Sequence, residues 1–263
     1  MSELLKGKRG LVMGVANDRS IAWGIAKALH EAGAELAFTY QGEAFGKRLE
    51  PLAASVGSDF MVDVDVTDDA SLETAFAELG SRWPTIDFLV HAIAFSDKSE
   101  LTGRILNTSR ANFKNSLDIS CYSFIEVARR AHPLMVENGG TLITLTYEGS
   151  QRVVPNYNVM GVAKAALESA TRYLANDLGP EGIRVNAISP GPMKTLAGAA
   201  IGGARKTYKH TDQNAPMRAN ATLDAVGGTA VYLVSDAGAC TTGEILHVDG
   251  GFHVLGMPQY ENL

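Results

Sequence analysis

The chain has 263 residues, 46% hydrophobic and 20% charged, with a formal net charge of −6. This is an ordinary soluble globular composition, and its acidic balance argues against a nucleic-acid protein held by phosphate contacts. No apolar run approaches a membrane span, and the opening Met1-Ser2-Glu3-Leu4-Leu5-Lys6-Gly7-Lys8-Arg9-Gly10 lacks a signal peptide's apolar stretch, so a cytoplasmic protein with no membrane contact is expected. Cys121 and Cys240 lie far apart without metal-ligand spacing, which points to reduced thiols and no metal. No linker, charge run or internal repeat divides the chain, so one domain over 1–263 is expected.

Arg9 to Met13 reads as a short apolar strand, followed by a turn at Gly14 and a helix from about Ser20 to Ala32. A strand at Glu35–Tyr40 and a helix at Glu43–Ser55 follow. Phe60–Val64 is the third strand, and Thr67-Asp68-Asp69-Ala70-Ser71 opens a capped helix reaching about Arg82. Asp87–Ile93 is the fourth strand, before one long helix from about Arg110 to Glu137. Thr141–Thr146 is the fifth, then a helix from about Tyr157 to Leu178, and Arg184–Ile188 the sixth. A helix near Leu223–Leu233 precedes a seventh strand at Glu244–Val248. Short apolar strands separated by helices predict an α/β fold: a single doubly wound, Rossmann-like parallel sheet of about seven strands with helices on both faces. Such sheets bind ligands at the carboxyl ends of their strands.

The segments just past those ends carry the candidate ligand contacts. Gly14 permits a tight turn, and the backbone amides of Ser20, Ile21 and Ala22 at a helix start suit a pyrophosphate, although no Gly-x-Gly-x-x-Gly is present. The second strand ends at Gln41, neither the acid that binds a ribose diol nor the base that accepts a 2′-phosphate, and Lys47 and Arg48 leave NADPH open beside NADH. Asp65-Val66 after the third strand could hold an adenine edge or form a turn, and small residues around Ile93 suit a backbone lying against a flat ligand. Tyr157 and Lys164 are seven residues apart, close to two helical turns, and Tyr147 lies just upstream. An ammonium near a phenol stabilises its anion and makes it a useful acid.

These residues resemble the short-chain dehydrogenase/reductase superfamily and, within it, the divergent bacterial enoyl-acyl-carrier-protein reductases. The resemblance covers nearly the whole chain and rests on Gly14-x5-Ser20-Ile21-Ala22, Tyr147, Pro155-Asn156-Tyr157-Asn158-Val159-Met160-Gly161, Lys164, the segment Gly179–Pro192, and His247-Val248-Asp249-Gly250-Gly251-Phe252. Common members of the superfamily carry Tyr-x3-Lys with a serine thirteen residues before the tyrosine; here those positions hold Met160 and Tyr147, which argues against an alcohol or ketone dehydrogenase. A non-catalytic nucleotide sensor on the same fold is the rival of another class, and retention of both tyrosines with the lysine disfavours it.

The resemblance implies hydride transfer from NADH to a trans-2-enoyl thioester on acyl-carrier protein, the last step of the elongation cycle in type II fatty acid biosynthesis. It implies that Tyr157 stabilises the enolate oxygen, that Lys164 binds the nicotinamide ribose and lowers the phenol's pKa, and that Tyr147 lines the acyl site. Implied cofactor contacts are Gly14, Ser20, Ile21, Gln41, Asp65, Val66, Ile93, Lys164, Met193, Lys194, Thr195, Leu196 and Ala197, with Gln41 matching the NADH-using pattern. Ser96 falls at a substrate-contact position, and a homotetramer is expected. Prolines, glycines and small residues from Pro190 onward predict a substrate-binding lid at about 190–216, and Lys194, Arg205, Lys206 and Lys209 within it would steer an acidic carrier.

Overall fold

The computed structural model describes residues 3–196, 198 and 202–262. Its strands are β1 (Arg9–Met13), β2 (Glu35–Tyr40), β3 (Met61–Asp63), β4 (Phe88–His91), β5 (Gly140–Leu145), β6 (Ile183–Pro190) and β7 (Ile245–Val248). They form one 7-stranded parallel sheet in the order β3-β2-β1-β4-β5-β6-β7. Leu11 of β1 pairs with Ala37 of β2 on one side and Leu89 of β4 on the other. The chain therefore winds outward in both directions from β1 and β4, which leaves a crevice at their carboxyl ends.

The helices are α1 (Ile21–Glu31), α2 (Glu43–Ser55), α3 (Asp69–Arg82), α4 (Lys98–Leu101), α5 (Arg110–Leu117), α6 (Ser123–Ala131), α7 (Val159–Leu178), α8 (Ala204–Asn214) and α9 (Leu223–Val234). Side chains alternate across a strand, so each strand feeds two cores. Val12, Phe38, Val90 and Ile143 pack with Ile25 of α1, Leu49 of α2 and Val226 of α9. Leu11, Ala37, Leu89 and Leu142 pack on the opposite face with Leu72 of α3, Phe124 of α6 and Leu167 of α7. Complete burial of each large apolar side chain contributes roughly 1.5–3 kcal/mol before entropy is counted. Helices α1 and α9 approach to backbone contact: a Cβ on Gly227 would lie 2.6 Å from Ala28 Cβ and 2.9 Å from Gly24 O.

Three elements differ from expectation. The single helix predicted for Arg110–Glu137 is instead α5, a π-helical turn at Asp118–Tyr122, α6 and a 3-10 turn at His132–Leu134. Ser123 N–H reaches back five residues to Asp118 O, its Oγ donates to Ile119 O at 2.7 Å, and Pro133 closes the α-helical run. The helix predicted from Tyr157 begins at Val159, because Asn156 and Asn158 hold positive φ of 61° and 38°. The predicted lid at 190–216 is not all loop, since it contains α8.

Candidate active site

Every candidate cofactor residue within the described chain lies at or beyond the carboxyl end of a strand, apart from Lys164 on α7. Gly14 follows β1 with φ 95°, and a Cβ there would collide with the carbonyl of Ala92 beyond β4. Only glycine lets the two strand ends lie this close at the crevice. Ser20 precedes α1, but its hydroxyl donates to Asn17 O at 2.6 Å and does not cap the helix. The first-turn amides of Ile21 and Ala22 have no intrahelical acceptor, and that turn has no acidic residue. This helix start is electrostatically fitted to an anion such as a dinucleotide pyrophosphate.

Gln41 is exposed beyond β2. The Asp65 carboxylate accepts from Thr67 N at 2.9 Å and Thr67 Oγ1 at 2.7 Å. Those bonds, with a further one from Gln41, hold its pKa below the usual carboxylate range. Val66 and Ile93 are half-buried beside the second core and offer apolar walls.

Tyr147 leaves the end of β5 and meets Tyr157 edge to face, with ring centroids 5.1 Å apart and planes at 68°. Tyr157 is 6% exposed and packs with Leu101, Val159 and Met160. Gly149 lies against its ring so closely that a Cβ would clash with Cδ1. Burial pushes the Tyr157 phenol far above the ordinary 10, with Tyr147 and Glu168 adding to the rise. Burial also raises Tyr147 to about 12, and the neighbouring Glu148 adds to it.

Lys164 is likewise 6% exposed, and its Nζ donates to Leu145 O at 2.7 Å. Burial lowers it to about 8, while Cys121 and Glu168 pull the other way. The expectation that Lys164 depresses the Tyr157 pKa is therefore reversed. No hydrogen bond joins the two among the described residues, and desolvation of the phenolate dominates. The result is a neutral O–H donor at neutral pH. Met160, where common relatives place their tyrosine, offers only a thioether sulfur, which accepts from Ser120 Oγ at 3.8 Å.

The Ser96 hydroxyl and the Asn112 side-chain amide exchange hydrogen bonds of 3.3 and 3.2 Å, so Ser96 is fixed within the loop after β4. Past β6, Met193 packs on the first core, and Lys194 Nζ stands 4.5 Å from the centroid of the Tyr208 ring. Thr195 N–H donates to Met193 O at 2.9 Å, and Leu196 is exposed. Ala197 lies outside the described residues. Asn156 Nδ2 donates to Gly202 O at 2.7 Å, tying the tyrosine-bearing turn to the segment that precedes α8.

Sequence reasoning did not single out Gly149, Asn156, His91 or Glu168. Glu168 had a legible signal, four residues after Lys164 on one helix face. His91 had none: it is a fully buried ring whose Nε2 lies 2.9 Å from Ser123 Oγ and whose Nδ1 lies 3.3 Å from Thr144 Oγ1.

A doubly wound parallel sheet, an acid-free helix start at its crevice, and a neutral tyrosine pair beside a buried lysine define a nucleotide-dependent oxidoreductase of the short-chain dehydrogenase/reductase class. The family model described as "Enoyl-(Acyl carrier protein) reductase" matches residues 14–253, and the chain belongs to that family. It is 57% identical to enoyl-[acyl-carrier-protein] reductase [NADH] 2 of Rhizobium meliloti, over 100% of this chain and 98% of that protein. The crystal structure of FabI from Candidatus Liberibacter asiaticus superposes with a TM-score of 0.96 at 55% identity, covering 98% of this chain and 100% of that one. The reductase from Anaplasma phagocytophilum, crystallised with NAD, superposes with a TM-score of 0.94 at 51% identity, covering 99% and 97%.

Proposed function

We infer that this chain reduces the C2=C3 double bond of trans-2-enoyl-acyl-carrier-protein thioesters, the last step of the elongation cycle in type II fatty acid biosynthesis. The cofactor is NADH, which when bound supplies the hydride delivered to C3. The observation that carries the reading is the neutral Tyr147–Tyr157 pair, with Met160 standing where a carbonyl reductase needs a proton donor.

When C3 gains the hydride, negative charge collects on the thioester oxygen. The buried Tyr157 phenol keeps its proton at neutral pH and donates a hydrogen bond to that oxygen, favouring the transition state over the ground state. A proton taken up from water at C2 then completes the saturated thioester, and the enolate oxygen returns to the carbonyl. Tyr147 supports the Tyr157 ring edge-on and lines the acyl site. Lys164 commits one of its three N–H donors to Leu145 O, which leaves two for ribose hydroxyls. Gly14, Ser20, Ile21, Gln41, Asp65, Val66 and Ile93 form the dinucleotide groove, closed by Met193, Lys194, Thr195 and Leu196, and Ser96 borders the acyl chain.

The chain works as one domain whose lid spans about 190–216, and Lys194, Arg205, Lys206 and Lys209 attract the acidic carrier. No helix among the described residues is long and apolar enough to cross a membrane, and we place the enzyme in the cytoplasm. Exposed Phe113, Val162 and Tyr173 support assembly as a homotetramer, which light scattering at micromolar concentration tests.

The direct test is NADH absorbance loss with trans-2-enoyl thioester, for wild type and Tyr157→Phe. We expect kcat to fall about 10²- to 10³-fold with NADH affinity unchanged. A Tyr157→Phe enzyme that turns over at the wild-type rate removes Tyr157 from the mechanism.

A further inference from the structure

Glu168 lies on α7 one turn beyond Lys164 and is only 5% exposed. A carboxylate withdrawn from water this far is retained only with strong compensation. Thr146 Oγ1 donates to Oε1 at 2.7 Å, Ser150 Oγ donates to the same oxygen, and Gln151 Nε2 approaches Oε2 at 3.5 Å. All three donors come from the segment that follows β5. Thr146 and Ser150 bracket Tyr147 and Gly149, both of which lie against the Tyr157 ring. One carboxylate thus anchors both ends of the segment that supports the catalytic phenol.

We propose that Glu168 is a positioning residue of this active site, fixing the Tyr147 segment to α7 while supplying negative charge behind the Lys164 ammonium. The inference rests on the enoyl-reductase reading and adds a residue to it. The groups facing Glu168 are Lys164 on its own helix, Tyr157 in the preceding turn, Glu148 after β5 and His247 on β7. Lys164 is faced in turn by Cys121 of the π-helical turn and His91 of β4. Burial drives Lys164 toward its neutral form, and Glu168 opposes that drift. Glu168 has no ion-pair contact with Lys164 among the described residues, so it acts through space while its oxygens stay engaged with the hydroxyls.

The test is the pH profile of kcat/KM for NADH in wild type, Glu168→Gln and Glu168→Asp. Glutamine still accepts from Thr146 and Ser150 but carries no charge, so the alkaline limb should move to lower pH by about 1 unit. Aspartate keeps the charge one methylene short of the hydroxyls. It should hold the alkaline limb at the wild-type position and raise the KM for enoyl thioester several-fold. An alkaline limb unmoved in Glu168→Gln, even with activity lowered evenly at every pH, overturns the electrostatic role. If Glu168→Gln does not fold, the aspartate variant decides, and an unchanged enoyl KM in it overturns the positioning role. Wild type inactive toward enoyl thioester with both NADH and NADPH defeats the functional reading itself, a result distinct from either.

Discussion

Tyr157 sits between two asparagines in left-handed backbone, at φ 61° and 38°, conformations that cost of order 1–3 kcal/mol each. Their side chains are used: Asn156 reaches Gly202 O, and Asn158 reaches Gly103 O at 3.3 Å. The turn so formed brings the tyrosine ring against Gly149. Substituting Gly149→Ala would force that ring aside, since a Cβ there would overlap Cδ1 and Cε1 of the ring. We expect about 1–3 kcal/mol of destabilisation, together with a kcat loss exceeding any loss of NADH affinity. Urea unfolding and steady-state kinetics on the same preparation check both. The Tyr157-to-Lys164 spacing of nearly two helical turns suggests a shared helix face, whereas the tyrosine precedes the helix and Lys164 donates to the carbonyl of Leu145. Asparagine on both sides of a tyrosine was the available clue, because asparagine tolerates left-handed backbone.

At the scale of elements, the strands were readable because each is a short apolar run bounded by turn residues. Both sheet faces are covered, so no polar alternation interrupts them. Helix α8 was not readable: it buries only Thr211 and Asn214, and without an apolar stripe there is no period to detect. The π-helical turn was equally hidden, since a register slip of one backbone bond leaves no mark on composition. Between these elements Asn156 Nδ2 tethers the segment before α8 through Gly202 O. In Asn156→Gly the positive φ costs nothing and only the tether is lost. We expect KM for the enoyl substrate to rise several-fold, with NADH affinity and melting temperature held. Fluorescence titration with NADH and a thermal melt separate this from general damage.

For the whole molecule, acid sensitivity follows from His91. Full burial, with Lys164 nearby, lowers its pKa from the ordinary 6.5 to about 3. Between those values the unfolded chain binds a proton that the folded chain refuses, so the His91 contribution to stability is lost as pH falls from about 6.5 toward 3 and is constant above. The loss over that window is on the order of a few kcal/mol. His91→Gln, which can still bond Ser123 and Thr144, should show a shallower fall than wild type when urea midpoints are compared from pH 7 to pH 4.

The backbone-close packing of α1 on α9 also bears on how the chain folds as it is made. Strands β1 to β4 can pair once residue 91 has emerged, but Gly227, which seats on Gly24 and Ala28, is made only after β5 and β6. Until then α1 has the flank around Gly24 and Ala28 uncovered, and the nascent chain carries an apolar surface there. That flank of the first core therefore closes only when α9 docks on α1.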